Sequence, residues 1–214
     1  LKALVESGAL SSGAVSVFVL DEADRLMESF EPEVRFLHRA LPLEKQMLAF
    51  SATYSPQLRL GLRSIMRGPE DVQLCSETVA LRGVRQLYRL IPSGLAAGAA
   101  LVAKQEALLS AFRIIPFHQA MVFCNRSGWA EAMAEGLTRE GFPAAFTSGS
   151  LDQPTRMALM RDFRSFRLRA LVTTDLTARG VDLEHVNLVV NADLPREGAT
   201  YMHRIGRSGR FGGA

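Results

Sequence analysis

Cysteine is scarce in this sequence: its 214 residues include only Cys75 and Cys124. The two lie far apart, and neither belongs to a closely spaced cysteine or histidine pair of the kind that binds zinc. A structural zinc site is therefore excluded on the sequence pattern. Isolated cysteines indicate reduced thiols in an intracellular protein, and we expect it in the cytoplasm, the nucleus or both.

Long apolar runs are also missing. None approaches the ~18 residues that a bilayer-spanning helix needs, so no membrane partner is expected. The Ala-rich stretch from Leu95 to Ala103 is short and is interpreted as a linker entering a helix. The N-terminus has neither a Met nor the charged, apolar and small-residue regions of a signal peptide, and "LKALVESGAL" resembles the interior of a domain.

Positive charge is in small excess, and the formal net charge is +3. This is compatible with a polyanionic partner but does not by itself indicate one. Hydrophobic residues make up 48% and charged residues 22%, as is typical of a folded globular protein of one large or two smaller domains.

Strand-forming runs alternate with amphipathic stretches, which predicts an α/β fold built on parallel sheets. The predicted strands are Val15–Leu20, Gln46–Phe50, Val84–Leu90, Ala120–Phe123, Ala144–Thr147, Ala170–Thr173 and Val186–Asn191. The polar segment before Val84 predicts a boundary between two α/β lobes.

Two helices have clear start signals. Ser55 followed by a proline predicts an N-cap and a helix to about Met66. Asp152 predicts a second N-cap, with a helix to about Phe163. The three-residue spacing of Met157, Met160 and Phe163 predicts the buried face of that helix.

The stretch "VFVLDEADRLM" ends an apolar strand in three carboxylates, Asp21, Glu22 and Asp24. Residues just after a strand of a parallel sheet occupy the usual ligand-binding edge. Clustered carboxylates repel one another unless a cation or positive partners offset the repulsion, so the stretch predicts a site for a metal, a phosphate or both. The alternative is an acidic helix N-terminus, stabilised by the helix dipole.

The stretch "HRIGRSGR" carries Arg204, Arg207 and Arg210 at three-residue intervals, with glycines that allow a close approach to a ligand. Planar guanidinium groups suit phosphate oxygens. The alternative, a solvated basic patch that contacts RNA backbone, explains the arginines but not the regular glycines.

Shorter strings lie between these two: "SAT", "VFCN", "DQPTR" and "TTDLTARGVD". Each alone is weak, but in this order the set resembles the motifs of the DEAD-box RNA helicases of superfamily 2. Asp24 and His203 favour the DEAD-box group over the DEAH group. Longer strings, such as "KQMLAFSATY" and "YMHRIGRSGRFG", are most similar to the DEAD-box helicase of the survival-motor-neuron complex, which assembles small nuclear ribonucleoproteins.

The resemblance implies ATP and Mg²⁺ as cofactors and a set of site residues. Asp21 would hold Mg²⁺ through water and Glu22 would activate the attacking water, while Arg207 and Arg210 would reach the γ-phosphate and Asp182 the ATP ribose. The residues implied to couple nucleotide state to lobe closure are Asp24, Ser51, Thr53 and His203. The residues implied to lie near the RNA backbone are Gly149, Gln153, Arg156, Thr174 and Gly180. Ser148 departs from the histidine usual in the family.

Mostly backbone contact implies binding of single-stranded RNA with little sequence preference. The other implied partners are proteins that assemble ribonucleoproteins. The expected activity is ATP hydrolysis coupled to RNA binding and local duplex unwinding.

The resemblance also implies two RecA-like lobes, the first truncated at its N-terminal half and the second nearly complete. The expected boundaries are 1–75 for the first lobe, 76–83 for a linker and 84–214 for the second lobe, which would lack its last strand. The chain contains no Gly-Lys pair and hence no P-loop, which cradles nucleotide phosphates. We therefore expect a fragment that is inactive on its own.

Two other function classes stay open. An RNA-binding scaffold without ATPase activity would keep the fold but has little use for Glu22, Arg207 and Arg210. A DNA-dependent motor of the same superfamily would share the ATP residues but usually differs around "HRIGRSGR".

Overall fold

A computed structural model of the chain describes residues 1–73, 83–175 and 183–208. It divides into two compact units, Leu1–Ser76 and Glu77–Ala214, called here the first and second unit. The linker expected at 76–83 falls almost wholly outside the described residues, so the proposed domain boundaries stay a prediction. No helix of the described residues is long and apolar enough to cross a membrane.

The first unit is a small parallel sheet packed against helices. Its elements in order are α1 (Lys2–Glu6), β1 (Val17–Leu20), α2 (Ala23–Ser29), α3 (Glu31–Ala40), β2 (Gln46–Ala49) and α4 (Pro56–Arg63). The strands β1 and β2 pair in parallel from Val17 opposite Gln46 to Leu20 opposite Ala49. One face of this sheet covers a core built from both strands and helices, with buried residues Leu20, Ala23, Val34, Leu58, Leu62 and Ile65.

The other face of the two-stranded sheet is exposed and apolar. Because side chains alternate along a strand, Val17 and Val19 point away from the core, and they are 45% and 48% exposed. Leu48 on β2 is also exposed. These residues form a bare apolar patch on the first unit.

The second unit is a four-stranded parallel sheet with helices around it. Its elements are α5 (Ala97–Ile114), β3 (Gln119–Phe123), α6 (Ser127–Arg139), β4 (Ala144–Thr147), α7 (Gln153–Arg164), β5 (Ala170–Thr173), β6 (Val186–Asn191) and α8 (Gly198–Ile205). The strand order is β4-β5-β3-β6, so β3 lies between β5 and β6, and every residue of β3 is buried. The α/β fold with parallel sheets expected from the sequence is confirmed.

Both predicted N-caps are present. The Ser55 side chain accepts a hydrogen bond from the Leu58 N–H at 3.1 Å, and Asp152 accepts one from the Thr155 N–H at 3.2 Å. Each bond satisfies a backbone donor that the first helical turn leaves unpaired. The helix begun by Ser55 ends at Arg63, earlier than expected.

Two expectations about local structure are wrong. Residues 84–90 form no strand, and their apolar side chains Leu87, Tyr88 and Leu90 are 72–89% exposed. An apolar alternation becomes a strand only where a second strand pairs with it, and no described strand does so. On α7, Phe163 is fully buried and Met160 packs beside it, but Met157 is 64% exposed, so the buried face does not extend to Met157.

Candidate functional site

The acidic stretch follows β1 as a tight turn that leads into α2. Asp21 is exposed, and its Oδ1 accepts a hydrogen bond from the Glu22 N–H at 3.0 Å. Glu22 occupies the N-cap position with φ 50° and ψ 49°, a left-handed conformation that is uncommon for a residue with a side chain. The next N–H, of Ala23, donates to the Phe50 carbonyl at 2.9 Å. The turn is therefore fixed against the end of β2, and Asp21 and Glu22 lie at the edge of the sheet.

Asp24 joins this turn to the "SAT" segment. Its Oδ1 accepts from the Arg25 N–H at 2.9 Å, and its Oδ2 accepts from the Thr53 hydroxyl at 2.9 Å. The Ser51 hydroxyl in turn donates to the Thr53 carbonyl at 2.8 Å. The structure thus brings together three of the four residues expected to couple nucleotide state to closure. The alternative interpretation also holds in part, since Asp24 lies in the first turn of α2.

The fourth coupling residue, His203, lies in α8 of the second unit and is partly buried. Arg207 follows α8 by two residues and is 5% exposed, and its backbone N–H donates to the Arg204 carbonyl at 3.1 Å. Arg210, Asp182 and Gly180 lie outside the described residues.

The residues expected near RNA follow β4 and β5. Gly149 lies in the turn after β4, where the hydroxyls of Ser148 and Ser150 are 2.6 Å apart. The Ser148 side chain is thus hydrogen-bonded within its own turn. Thr174 follows β5 directly, and its carbonyl accepts from the Thr173 hydroxyl at 3.0 Å.

Two more residues of the RNA set lie one turn apart on α7. Gln153 is the first residue of that helix and is exposed, and its Oε1 accepts from Arg156 Nη2 at 2.6 Å. The guanidinium is therefore held at the N-terminal end of α7, where a phosphate would also meet the positive end of the helix dipole.

Sequence reasoning missed a polar cluster at the end of the second sheet. Asn125, Asp175 and Asp193 each lie two residues beyond the end of a strand, namely β3, β5 and β6. These three strands are neighbours, so their carboxyl ends meet at one edge. The signal in the sequence was this shared offset from the strand ends, which becomes visible only when the strand order is known.

Asp193 is held at this edge from two sides. Its Oδ2 accepts from the Asn125 N–H at 2.9 Å, and its Oδ1 forms an ion pair with Lys104. Lys104 also lies 5.0 Å from the centre of the Trp129 ring. Together with burial, the negative charge of Asp193 raises the pKa of the nearby Cys124 thiol to about 12, with burial the larger cause.

The metal expected at Asp21 fits the chemistry of the acidic turn. Carboxylate oxygens are the hard ligands that Mg²⁺ prefers, and Mg²⁺ usually keeps several waters while using one or two protein carboxylates. The described residues contain no group of three or more His, Cys, Asp and Glu side chains that could hold a metal on their own. The turn therefore suits an ion that completes its coordination with water and phosphate.

Two family models match the chain. Residues 103–212 match the helicase conserved C-terminal domain, and residues 2–60 match the DEAD/DEAH box helicase model. Each unit therefore contains a match to one of the two models.

Individual relatives agree with these matches. The chain is 42% identical to the Mus musculus protein named "Probable ATP-dependent RNA helicase DDX20", over 99% of this chain and 26% of the relative. It is 33% identical to eukaryotic initiation factor 4A of Caenorhabditis elegans, over 98% of this chain and 50% of the relative. The chain thus spans about a quarter to a half of the length of these relatives.

A solved structure is similar as well. Dbp5 of S. cerevisiae, bound to RNA and ADP BeF3, superposes with a TM-score of 0.85 at 29% identity. The match covers 99% of this chain and 54% of that chain.

Proposed function

Because the chain belongs to the DEAD-box ATP-dependent RNA helicase family, we propose that the protein couples ATP binding and hydrolysis to RNA binding and local unwinding of short duplexes. The observation that carries this proposal is the hydrogen bond from Thr53 to Asp24. It ties the acidic turn after β1 to the segment after β2, so a change at one strand end moves the other. A switch that reports nucleotide state needs such a connection.

In the first unit, Asp21 would hold Mg²⁺ through water, and Glu22 would accept the proton of the water that attacks the γ-phosphate. When bound, the ion would neutralise charge that develops on the transferring phosphoryl group. Both carboxylates have a fixed backbone, because the Glu22 and Ala23 N–H groups are hydrogen-bonded at the end of β1 and β2. Fixed geometry lowers the cost of orienting water for attack.

In the second unit, Arg207 and Arg210 would contact the γ-phosphate. An arginine placed on a transferring phosphoryl group accelerates the reaction by about 10³- to 10⁵-fold. Asp182 would contact the ribose. The P-loop that these residues need is absent from the 214 residues, so ATP turnover is proposed for the whole protein.

RNA would lie along the ends of β4 and β5, near Gly149, Gln153, Arg156, Thr174 and Gly180. Support comes from the pairing of Gln153 with Arg156 and from the similarity to Dbp5 bound to RNA. Contacts from a guanidinium, an amide and backbone groups suit phosphate and sugar rather than base edges. We therefore propose single-stranded RNA backbone as the main ligand.

A finer proposal concerns the partners and the compartment. The higher identity to DDX20 than to initiation factor 4A supports a role beside proteins that assemble small nuclear ribonucleoproteins. Such a role would place the protein in the cytoplasm, the nucleus or both. Recovery of ribonucleoprotein-assembly proteins with the tagged full-length protein, and not with a tagged initiation factor 4A, would support it.

The decisive experiment measures steady-state ATPase activity of the full-length protein with single-stranded RNA, with single-stranded DNA and with neither. We compare the parent with Glu22→Gln and with Glu28→Gln, a matched control because Glu28 is exposed at the end of α2. RNA-stimulated turnover that is lost only in Glu22→Gln supports the proposal. RNA binding without turnover indicates a scaffold, and stimulation by DNA indicates a DNA motor; either result would contradict it.

A further inference from the structure

Arg204 of α8 is 2% exposed, and all the N–H groups of its guanidinium donate hydrogen bonds within the second unit. Nε and Nη2 donate to the two carboxylate oxygens of Asp175 at 2.5 and 2.7 Å. Nη2 also donates to Asn125 Oδ1 at 2.9 Å. Nη1 donates to the Asp193 carbonyl at 2.6 Å and to Asn191 Oδ1 at 3.2 Å.

These five bonds equal the number of N–H donors that an arginine possesses. No donor is left for a phosphate oxygen. The guanidinium carbon also lies 5.1 Å from the centre of the Phe123 ring, so an aromatic face covers one side of the group. Arg204 therefore differs in kind from a phosphate-binding arginine, although the sequence places it in one series with Arg207.

We propose that Arg204 is a positioning residue: it fastens α8 to the ends of β3, β5 and β6 and thereby sets the position of Arg207. The inference rests on the proposed function, because that function gives Arg207 its role at the γ-phosphate. Arg207 is one turn beyond Arg204, and its N–H donates to the Arg204 carbonyl. A shift of the Arg204 backbone therefore moves Arg207 directly.

The same residue also connects α8 to the segment proposed to contact RNA. Asp175, which binds Arg204 with both carboxylate oxygens, directly follows Thr174. RNA contact at Thr174 and phosphate contact at Arg207 would therefore share one rigid attachment. Lysine cannot replace Arg204 here. A lysine ammonium has three donors, whereas five acceptors surround the planar guanidinium of Arg204.

The first test uses RNA-stimulated ATPase of the full-length protein. Arg204→Gln and Arg204→Lys are each expected to lower kcat at least about tenfold with a smaller change in the KM for ATP, because a misplaced Arg207 affects mainly the transition state. Arg196→Gln, a change at an exposed arginine just before α8, is the matched control and should keep parental kinetics. Full activity of Arg204→Lys would overturn the inference.

A double variant separates positioning from a general structural role. If Arg204 acts through Arg207, then Arg204→Gln combined with Arg207→Gln should be no slower than Arg207→Gln alone. A further loss of kcat in the double variant, equal to the loss from Arg204→Gln alone, would show that the two residues act independently and would overturn the inference.

Hydrogen exchange tests the inference without any ATPase activity, so that its failure is distinguishable from failure of the proposed function. In Arg204→Gln and in Asp175→Asn, amides of α8 should exchange at least about tenfold faster than in Arg196→Gln, while amides of β3 stay unchanged. Unchanged exchange in α8, or an equal rise in β3, would overturn positioning by Arg204. A parent protein without RNA-stimulated turnover would instead reject the proposed function.

Discussion

Gln119, at the start of β3, offers a direct test of the packing in the second unit. The side chain is 2% exposed, and its Nε2 donates to the Phe163 carbonyl at 2.5 Å and to the Leu168 carbonyl at 3.0 Å. It therefore ties the end of α7 and the following loop to the central strand. We predict that Gln119→Met, which nearly preserves volume, destabilises the second unit.

The size of the loss in unfolding free energy depends on which hydrogen bonds the two carbonyls keep in the variant. The Phe163 carbonyl also accepts from the Phe166 N–H at 3.0 Å, so it keeps a partner in the variant. No other hydrogen bond to the Leu168 carbonyl is found among the described residues, so the variant leaves this part-buried carbonyl unpaired. The lost bond to Phe163 at about 1 kcal/mol and the unpaired Leu168 carbonyl at about 1–3 kcal/mol together give a loss of about 2–4 kcal/mol.

Urea unfolding of the 214-residue chain measures this loss. Trp129 is the single tryptophan of the chain and lies in α6, so its fluorescence follows the second unit. Gln57→Met, at an exposed position of α4, controls for the change of residue type. A Gln119→Met chain within about 0.5 kcal/mol of the parent would refute the reasoning, because it would show that the buried amide bonds add no net stability.

Three further predictions concern other parts of the chain. Partial burial, followed by the positive charge of Lys45, lowers the pKa of His38. The unfolded state therefore binds the proton more readily, so the free energy of unfolding of the first unit should fall as pH drops below about 6.5. Urea unfolding followed by circular dichroism should show that this free energy depends less on pH in His38→Gln, and an equal dependence in the variant and the parent would contradict this. Because its pKa is raised to about 12, Cys124 should resist iodoacetamide at pH 8 in the native chain and react in urea, whereas rapid native alkylation would show an accessible thiolate. Residues 1–75 made alone should aggregate through the bare apolar patch, and Val19→Thr should reduce light scattering; monodisperse, cooperatively melting parent material would contradict the expectation.

Features that depend on a few neighbouring residues could be predicted from the sequence. The N-caps at Ser55 and Asp152 are examples, since a short polar side chain before a proline-containing first turn has few other low-energy arrangements. The acidic turn after β1 was predicted for a similar reason, because the strand and its carboxylates are adjacent in sequence. Roles assigned to the individual site residues stay predictions.

Features that depend on distant partners could not be predicted in this way. The apolar run at residues 84–90 has the composition of a strand, but pairing is a property of two segments, and no described strand pairs with it. The periodicity around Met157 predicted a helix correctly, but not how far along the helix its buried face extends. Which member of an arginine series binds the polar groups at the strand ends is likewise decided by strand order and not by spacing.

At one edge of the second sheet, the polar groups at the strand ends bind a side chain of the protein itself. In parallel sheets the carboxyl ends of the strands usually face a ligand, because their loops bring polar groups together. At the ends of β3, β5 and β6 these groups are nearly all acceptors, and they surround a buried site that only a multiple donor can satisfy without leaving oxygens unpaired. Arg204 supplies that donor from within the chain. The part of the edge that it occupies is therefore closed to ligand, and the phosphate contact that we propose would lie one turn further along, at Arg207.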